Sequence, residues 1–176
     1  MSIKLVIPNM EYENQVMEYR RIFLENNEPF DGCSDLNECN TYEEWIDFEN
    51  RLRVSYKDSY VPSIQYLGIR EEDNKLIGMI NIRLELNDFL HNFGGNIGYS
   101  VLLSERRKGY AKEMLRLLKD ECKKIGLDKV LLCCDKENLG SSKTIISNGG
   151  ILENEVEDKV GLTVSGVIQR YWIDLK

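Results

Sequence analysis

The run Asn96-Ile97-Gly98-Tyr99-Ser100-Val101-Leu102-Leu103-Ser104-Glu105-Arg106-Arg107-Lys108-Gly109-Tyr110-Ala111 changes character in its middle. Residues 96–103 are apolar enough for a strand, entered through Gly94-Gly95. A basic turn follows. From Tyr110 on, Ala111, Met114, Leu115, Leu118, Cys122 and Ile125 share one helical face, with Lys112, Glu113, Arg116 and Lys119 elsewhere. Gly126 supplies the stop, and residues 129–134 are apolar again. Strand, turn, helix and strand make a βαβ unit, so 96–103 and 129–134 are expected to be parallel neighbours. Open sheets of this kind take ligands where the helix begins.

The turn has the chemistry of an anion seat. A helix start leaves backbone N–H groups unpaired and carries positive partial charge. Gly109 has no Cβ to hold an anion off the backbone, and Ala111 keeps the first turn small. Arg106, Arg107 and Lys108 add charge where a helix dipole disfavours cations, a conflict that a bound phosphate would relieve. The plain alternative is an exposed basic turn. An Arg-x-x-Gly-x-Ala string becomes specific only in its setting between a strand and an amphipathic helix.

Outward from this unit the chain alternates helices and strands. Residues 3–7 read as a first strand ended by Pro8, and residues 11–26 as a helix with Tyr12, Val16, Tyr19 and Phe23 on one face. Residues 27–40 are a loop. Thr41 and Glu44 form a capping box before a helix carrying Trp45, Phe48 and Leu52. Residues 63–70 and 75–86 flank the polar turn Glu71-Glu72-Asp73-Asn74 as a hairpin. Residues 87–92 fit either a helical turn or a loop. A short helix, 141–148, and two closing strands, 151–156 and 167–174, complete one α/β (α+β) domain over 1–176, a central mixed sheet flanked by helices.

Composition excludes several classes. A net charge of −7 opposes a nucleic-acid backbone and suits, weakly, a cationic partner. There is no membrane-length apolar run and no secretion-type start, so a cytoplasmic location is expected. The five cysteines, Cys33, Cys39, Cys122, Cys133 and Cys134, lack zinc-ligand spacing and are expected as reduced thiols. With His91 the sole histidine, no metal is expected.

Arg106-x-x-Gly109-x-Ala111 resembles the acyl-CoA pyrophosphate motif of the GNAT family of N-acetyltransferases. Residues 96–101 resemble the strand leading into it, and Asn138, Ser141 and Asn148-Gly149-Gly150 the later coenzyme-side segment. The resemblance implies a GNAT-like acyl-CoA N-acyltransferase fold that uses acetyl-CoA. It implies that backbone near Val101, Leu102 and Leu103 pairs with the pantetheine arm. Amides from Arg106, Arg107, Lys108, Gly109, Tyr110 and Ala111 would hold the pyrophosphate, and Asn138 and Ser141 would lie along the arm. Ser141 also reads as a helix cap. Ile145 stands where many members carry a tyrosine that protonates the departing thiolate.

The implied reaction moves an acetyl group to an amine, from a small molecule or a peptide, and the amine must first lose a proton. Glu85, His91 and Tyr99 are the catalytic candidates, with Asp88 a further base. Asn81 and Arg83 share a strand face toward the cleft, and Arg83 could select an acidic group. Glu43, Trp45, Phe48 and Tyr56 are candidates for one acceptor wall. Residues 167–174 could pair with a second copy as a homodimer. The rival readings are a non-catalytic acyl-CoA-binding module and a nucleotide-phosphate binder, although neither glycine-rich nucleotide string is present.

Overall fold

The two apolar runs beside Glu71-Glu72-Asp73-Asn74 fold back on each other in a computed structural model that describes residues 2–54 and 60–176. They form an antiparallel hairpin, β2 (Ser63–Arg70) and β3 (Lys75–Arg83), with Asn74 at φ 53° in its turn. Strand β1 (Ile3–Val6) adds to β2, and β4 (Ile97–Val101) to β3, giving a four-stranded sheet in the order β1-β2-β3-β4. A second sheet has the order β5-β7-β6, from β5 (Lys129–Asp135), β6 (Ile151–Glu157) and β7 (Val167–Asp174). Every ladder among the described residues is antiparallel.

Helices cover both faces of the first sheet. The apolar stripe of α3 (Tyr110–Lys124) buries Met114, Leu115, Leu118 and Cys122 against Ile80 and Ile82. On the opposite face α1 (Glu13–Glu25) and α2 (Tyr42–Val54) bring Val16, Tyr19, Phe23 and Trp45 onto Leu67, Ile69 and Met79. Each such side chain contributes roughly 1.5–3 kcal/mol of burial free energy. The capping box starts α2 as expected, since Thr41 Oγ1 accepts from Glu44 N at 3.2 Å and Glu44 Oε2 from Thr41 N at 3.3 Å.

Three expectations are corrected. Strands 96–103 and 129–134 do not form a parallel ladder; β4 and β5 belong to different sheets, joined by one isolated bridge between Gly95 and Leu132. A Cβ on Gly95 would lie 2.6 Å from Leu131 O, so the strands touch there because this residue is glycine. Beyond it the Asn96 side chain takes the place of a ladder carbonyl, its Oδ1 accepting from Leu131 N at 2.8 Å, and the strands part. Secondly, β4 stops at Val101, and Leu103–Glu105 is a 3-10 turn. Thirdly, β7 lies between β5 and β6 with both edges occupied, so it has no edge for a second copy. Of residues 87–92, those from 88 on resolve as helical, with a π turn at Leu90–Gly94. No described helix is long and apolar enough to cross a membrane.

Candidate active site

The amino end of α3 is open. Gly109 caps it at φ 85°, and Arg107 sits at φ 62°, two left-handed positions that turn the chain into the helix. No described group accepts a hydrogen bond from the backbone N–H groups of Arg107 through Ala111. A Cβ built on Gly109 would meet nothing within 4 Å. Unpaired amides at a helix start are able to seat an anion. The expected seat ran from Arg106, but the Arg106 amide points inward to Leu103 O at 3.4 Å.

The side chains of the turn are arranged differently from the expected phosphate clamp. Arg106 Nε donates to Val101 O at 3.1 Å, and its Nη2 pairs with Glu28 Oε2 at 2.6 Å. Lys108 Nζ lies 2.9 Å from Glu105 Oε2. Glu105 is buried and also takes Lys75 Nζ at 2.7 Å and Arg70 Nη1 at 3.2 Å, while Arg70 bonds the Tyr110 hydroxyl at 3.1 Å. Hydrogen bonds from Lys75 and Lys108, with Arg70 nearby, hold the Glu105 carboxyl down at about 2. Two of the three loop cations thus fix the turn, and the exposed Arg107 stays directed to solvent. Sequence reading passed over Glu28 and Glu105. An acid inside a basic turn was the available signal, but its partners on β2 and β3 lie 35 and 30 residues away.

Tyr99 of β4, expected to face the cleft, and Ser141, expected along the coenzyme arm, lie in contact. The Tyr99 hydroxyl lies 2.8 Å from Ser141 Oγ and donates to Ser141 O at 3.3 Å. Burial raises the Tyr99 phenol, so it stays protonated at neutral pH. Asn138, not Ser141, caps α4 (Leu139–Ser147), its Oδ1 accepting from Ser141 N at 3.0 Å. Ile145 is fully buried in the core under α3, so a side chain there packs rather than reaching a ligand. The Leu102 amide donates to Ile77 O at 2.9 Å and is therefore occupied by β3.

Other candidates separate from this centre. His91 is exposed in the π turn, where its carbonyl, not its ring, accepts from Arg170 Nη2 at 2.8 Å. Glu85 and Asp88 are exposed beyond β3. Asn81 faces the α1–α2 layer, and Arg83 Nη1 donates to Gly94 O at 3.3 Å and Gly95 O at 3.1 Å, which occupies the group expected to select an acid. Trp45 is core; Phe48 is half-buried against Tyr60, Glu43 is exposed, and Tyr56 lies outside the described residues. The five cysteines are free thiols, and burial pushes those of Cys33, Cys122 and Cys133 up to about 12 and that of Cys134 to about 11. No His, Cys, Asp and Glu cluster among the described residues could hold a metal.

Residues 17–144 match the profile of the acetyltransferase (GNAT) family. No curated protein matches the chain. Among solved structures, RimJ of Mycobacterium smegmatis in complex with CoA-disulfide aligns with a TM-score of 0.73 at 16% identity, over 98% of this chain and 81% of that one. Ribosomal-protein-S5-alanine acetyltransferase from Vibrio fischeri aligns with a TM-score of 0.67 at 14% identity, over 99% and 92%. An N-acetyltransferase from Staphylococcus aureus Mu50 gives 0.66 at 16% identity, over the whole of both chains. At these identities the likeness is one of fold.

Proposed function

The chain belongs to the acetyltransferase (GNAT) family of acetyl-CoA-dependent N-acetyltransferases, and from that premise we propose that it transfers acetyl directly onto the amine of a small molecule or peptide. The observation that carries this reading is the run of unpaired amides from Arg107 to Ala111 around the open Gly109. Unpaired amides at a helix start suit a diphosphate, and Arg107 adds an exposed charge. Acetyl-CoA supplies the activated acetyl group.

The chain's own residues bind, orient and manage protons. With the diphosphate on the α3 tip, the parting of β4 from β5 offers the pantetheine arm a strand edge beside Tyr99, Asn138 and Ser141. The Tyr99 phenol, kept protonated by burial, suits a proton donor to the departing thiolate better than a base. That role replaces the one Ile145 cannot fill. Direct attack by the amine is favoured over an acyl-cysteine, because buried thiols raised to about 11–12 carry little thiolate at neutral pH.

Thiol release from acetyl-CoA in the presence of a panel of primary amines tests the reading, alongside calorimetric titration with acetyl-CoA. Binding together with amine-dependent release is expected. Binding without release for every amine would favour the non-catalytic module, and absence of binding would remove the coenzyme assignment. Tyr99→Phe is expected to slow release about tenfold or more while leaving acetyl-CoA affinity unchanged.

A further inference from the structure

The face that β2 and β3 turn toward α1 and α2 changes character along its length. At one end Leu67, Ile69 and Met79 pack under the two helices. At the other, the buried side chains are Ser63, Gln65 and Asn81. The loop between α1 and α2 is laced onto this polar end. Gln65 Nε2 donates to Gly32 O at 2.8 Å, Ser34 Oγ to Gln65 Oε1 at 2.9 Å, and Asn81 Nδ2 to Ser34 Oγ at 3.1 Å. Asn81 Oδ1 in turn accepts from Gly98 N of β4 at 3.2 Å.

One buried group here lacks a partner. Glu49 on α2 is 3% exposed, and neither carboxylate oxygen makes a hydrogen bond. Ser34 is the neighbouring hydroxyl, but its one proton goes to Gln65 Oε1, and the charges that act on Glu49 are those of Arg53 and Asp35. Ser34 and Asp35 both hold left-handed backbone, at φ 45° and 55°, which non-glycine residues adopt at a cost. A buried, unpaired carboxylate beside strained backbone is expensive for the fold. Its position also matters: Gly98, on this face, adjoins Tyr99, which faces α4 across the gap. The polar end and Tyr99 therefore approach β4 from its two faces, one residue apart along the strand.

We propose that this polar end is the acceptor site and that Glu49 is the counter-ion for a positively charged group on the acceptor, as in a diamine with one end anchored and the other acetylated. The assignment rests on the acetyl-transfer reading above. The carboxylate is closed to solvent in this structure, so entry displaces the Ser34–Asp35 corner from α2.

Calorimetric titrations of wild type and Glu49→Gln, with saturating CoA present, would compare 1,4-diaminobutane with 4-aminobutan-1-ol, which differ by one ammonium. Wild type is expected to prefer the diamine about tenfold, and Glu49→Gln to bring the two within about twofold. An equal preference in both proteins, or no preference in wild type, would overturn the proposal. Acetyl-CoA affinity, measured on the same two proteins without CoA, is expected to be equal in both. Its absence from wild type would instead defeat the parent reading, so the two failures are distinct.

Discussion

Arg106 and Glu28 form an ion pair with Nη2 and Oε2 2.6 Å apart, joining the basic turn before α3 to the loop after α1 across 78 residues of sequence. The same guanidinium holds Val101 O. An arginine that reads as a phosphate ligand in the sequence is, in the fold, a clamp between the end of β4 and the loop after α1. Glu28→Ala and Arg106→Ala are each expected to lower unfolding free energy by about 1 kcal/mol, with a coupling of similar size in the double mutant. Urea denaturation of the four proteins checks this, and additive losses would show that the pair does not act as a unit.

At Gly109 the structure separates space from conformation. A side chain has room, because nothing lies within 4 Å of its Cβ, but φ 85° strains any L residue by about 1 kcal/mol. Gly109→Ala is therefore expected to fold with modestly weakened acetyl-CoA binding. Gly109→Glu adds a carboxylate to the anion seat and is expected to reduce affinity about 100-fold or more while the chain still folds. Unchanged affinity of the Glu variant in calorimetry would rule out diphosphate binding at this tip.

These two positions show what local pattern could reveal. Gly109, the amphipathic α3 stripe and the Thr41–Glu44 cap are short-range features, and each stands in the fold as its spacing predicts. The separation of β4 from β5 was not legible, because it turns on an Asn96 side chain taking a ladder position opposite Leu131. Nor was the pairing of Arg106, since Glu28 lies 78 residues away, whereas Lys108 pairs with Glu105 three residues before it, a local signal. Glu49 is a different case. It follows Trp45 by four residues and precedes Leu52 by three, so helical spacing alone puts a carboxylate on the buried stripe of α2.

Glu105 gives an acid-side prediction. Its carboxyl is held at about 2, against 4.5 when unperturbed, by Lys75, Lys108 and Arg70. A depressed carboxyl contributes stability that is complete above its unfolded value and disappears as pH falls from about 4.5 toward 2. Glu105→Gln is thus expected to melt well below wild type at pH 7, with the difference closing toward pH 2. Because Lys108 would lose its tether, acetyl-CoA binding should weaken as well. A melting difference that is constant with pH would show that the ion network is not the source of the loss.

Glu49 predicts the opposite sign. Burial raises its carboxyl from 4.5 to about 7, with Ser34 and Arg53 opposing the rise and Asp35 adding to it. The folded state therefore binds a proton that the unfolded chain has released. Stability from this group is present below pH 4.5 and lost as pH climbs through about 7. The shift, (7 − 4.5) × 1.36, sets an upper size of about 3 kcal/mol. Glu49→Gln cannot ionise, so the stability lead of the variant over wild type should grow by up to that amount between pH 4.5 and pH 8. A bound cation would restore the balance in wild type alone, making 1,4-diaminobutane raise the melting temperature of wild type at pH 8 more than that of the variant. Denaturation across this pH range, with and without the diamine, reads both effects. A gap between the two proteins that does not change with pH would mean that Glu49 meets a partner in solution and is not held as an unpaired acid.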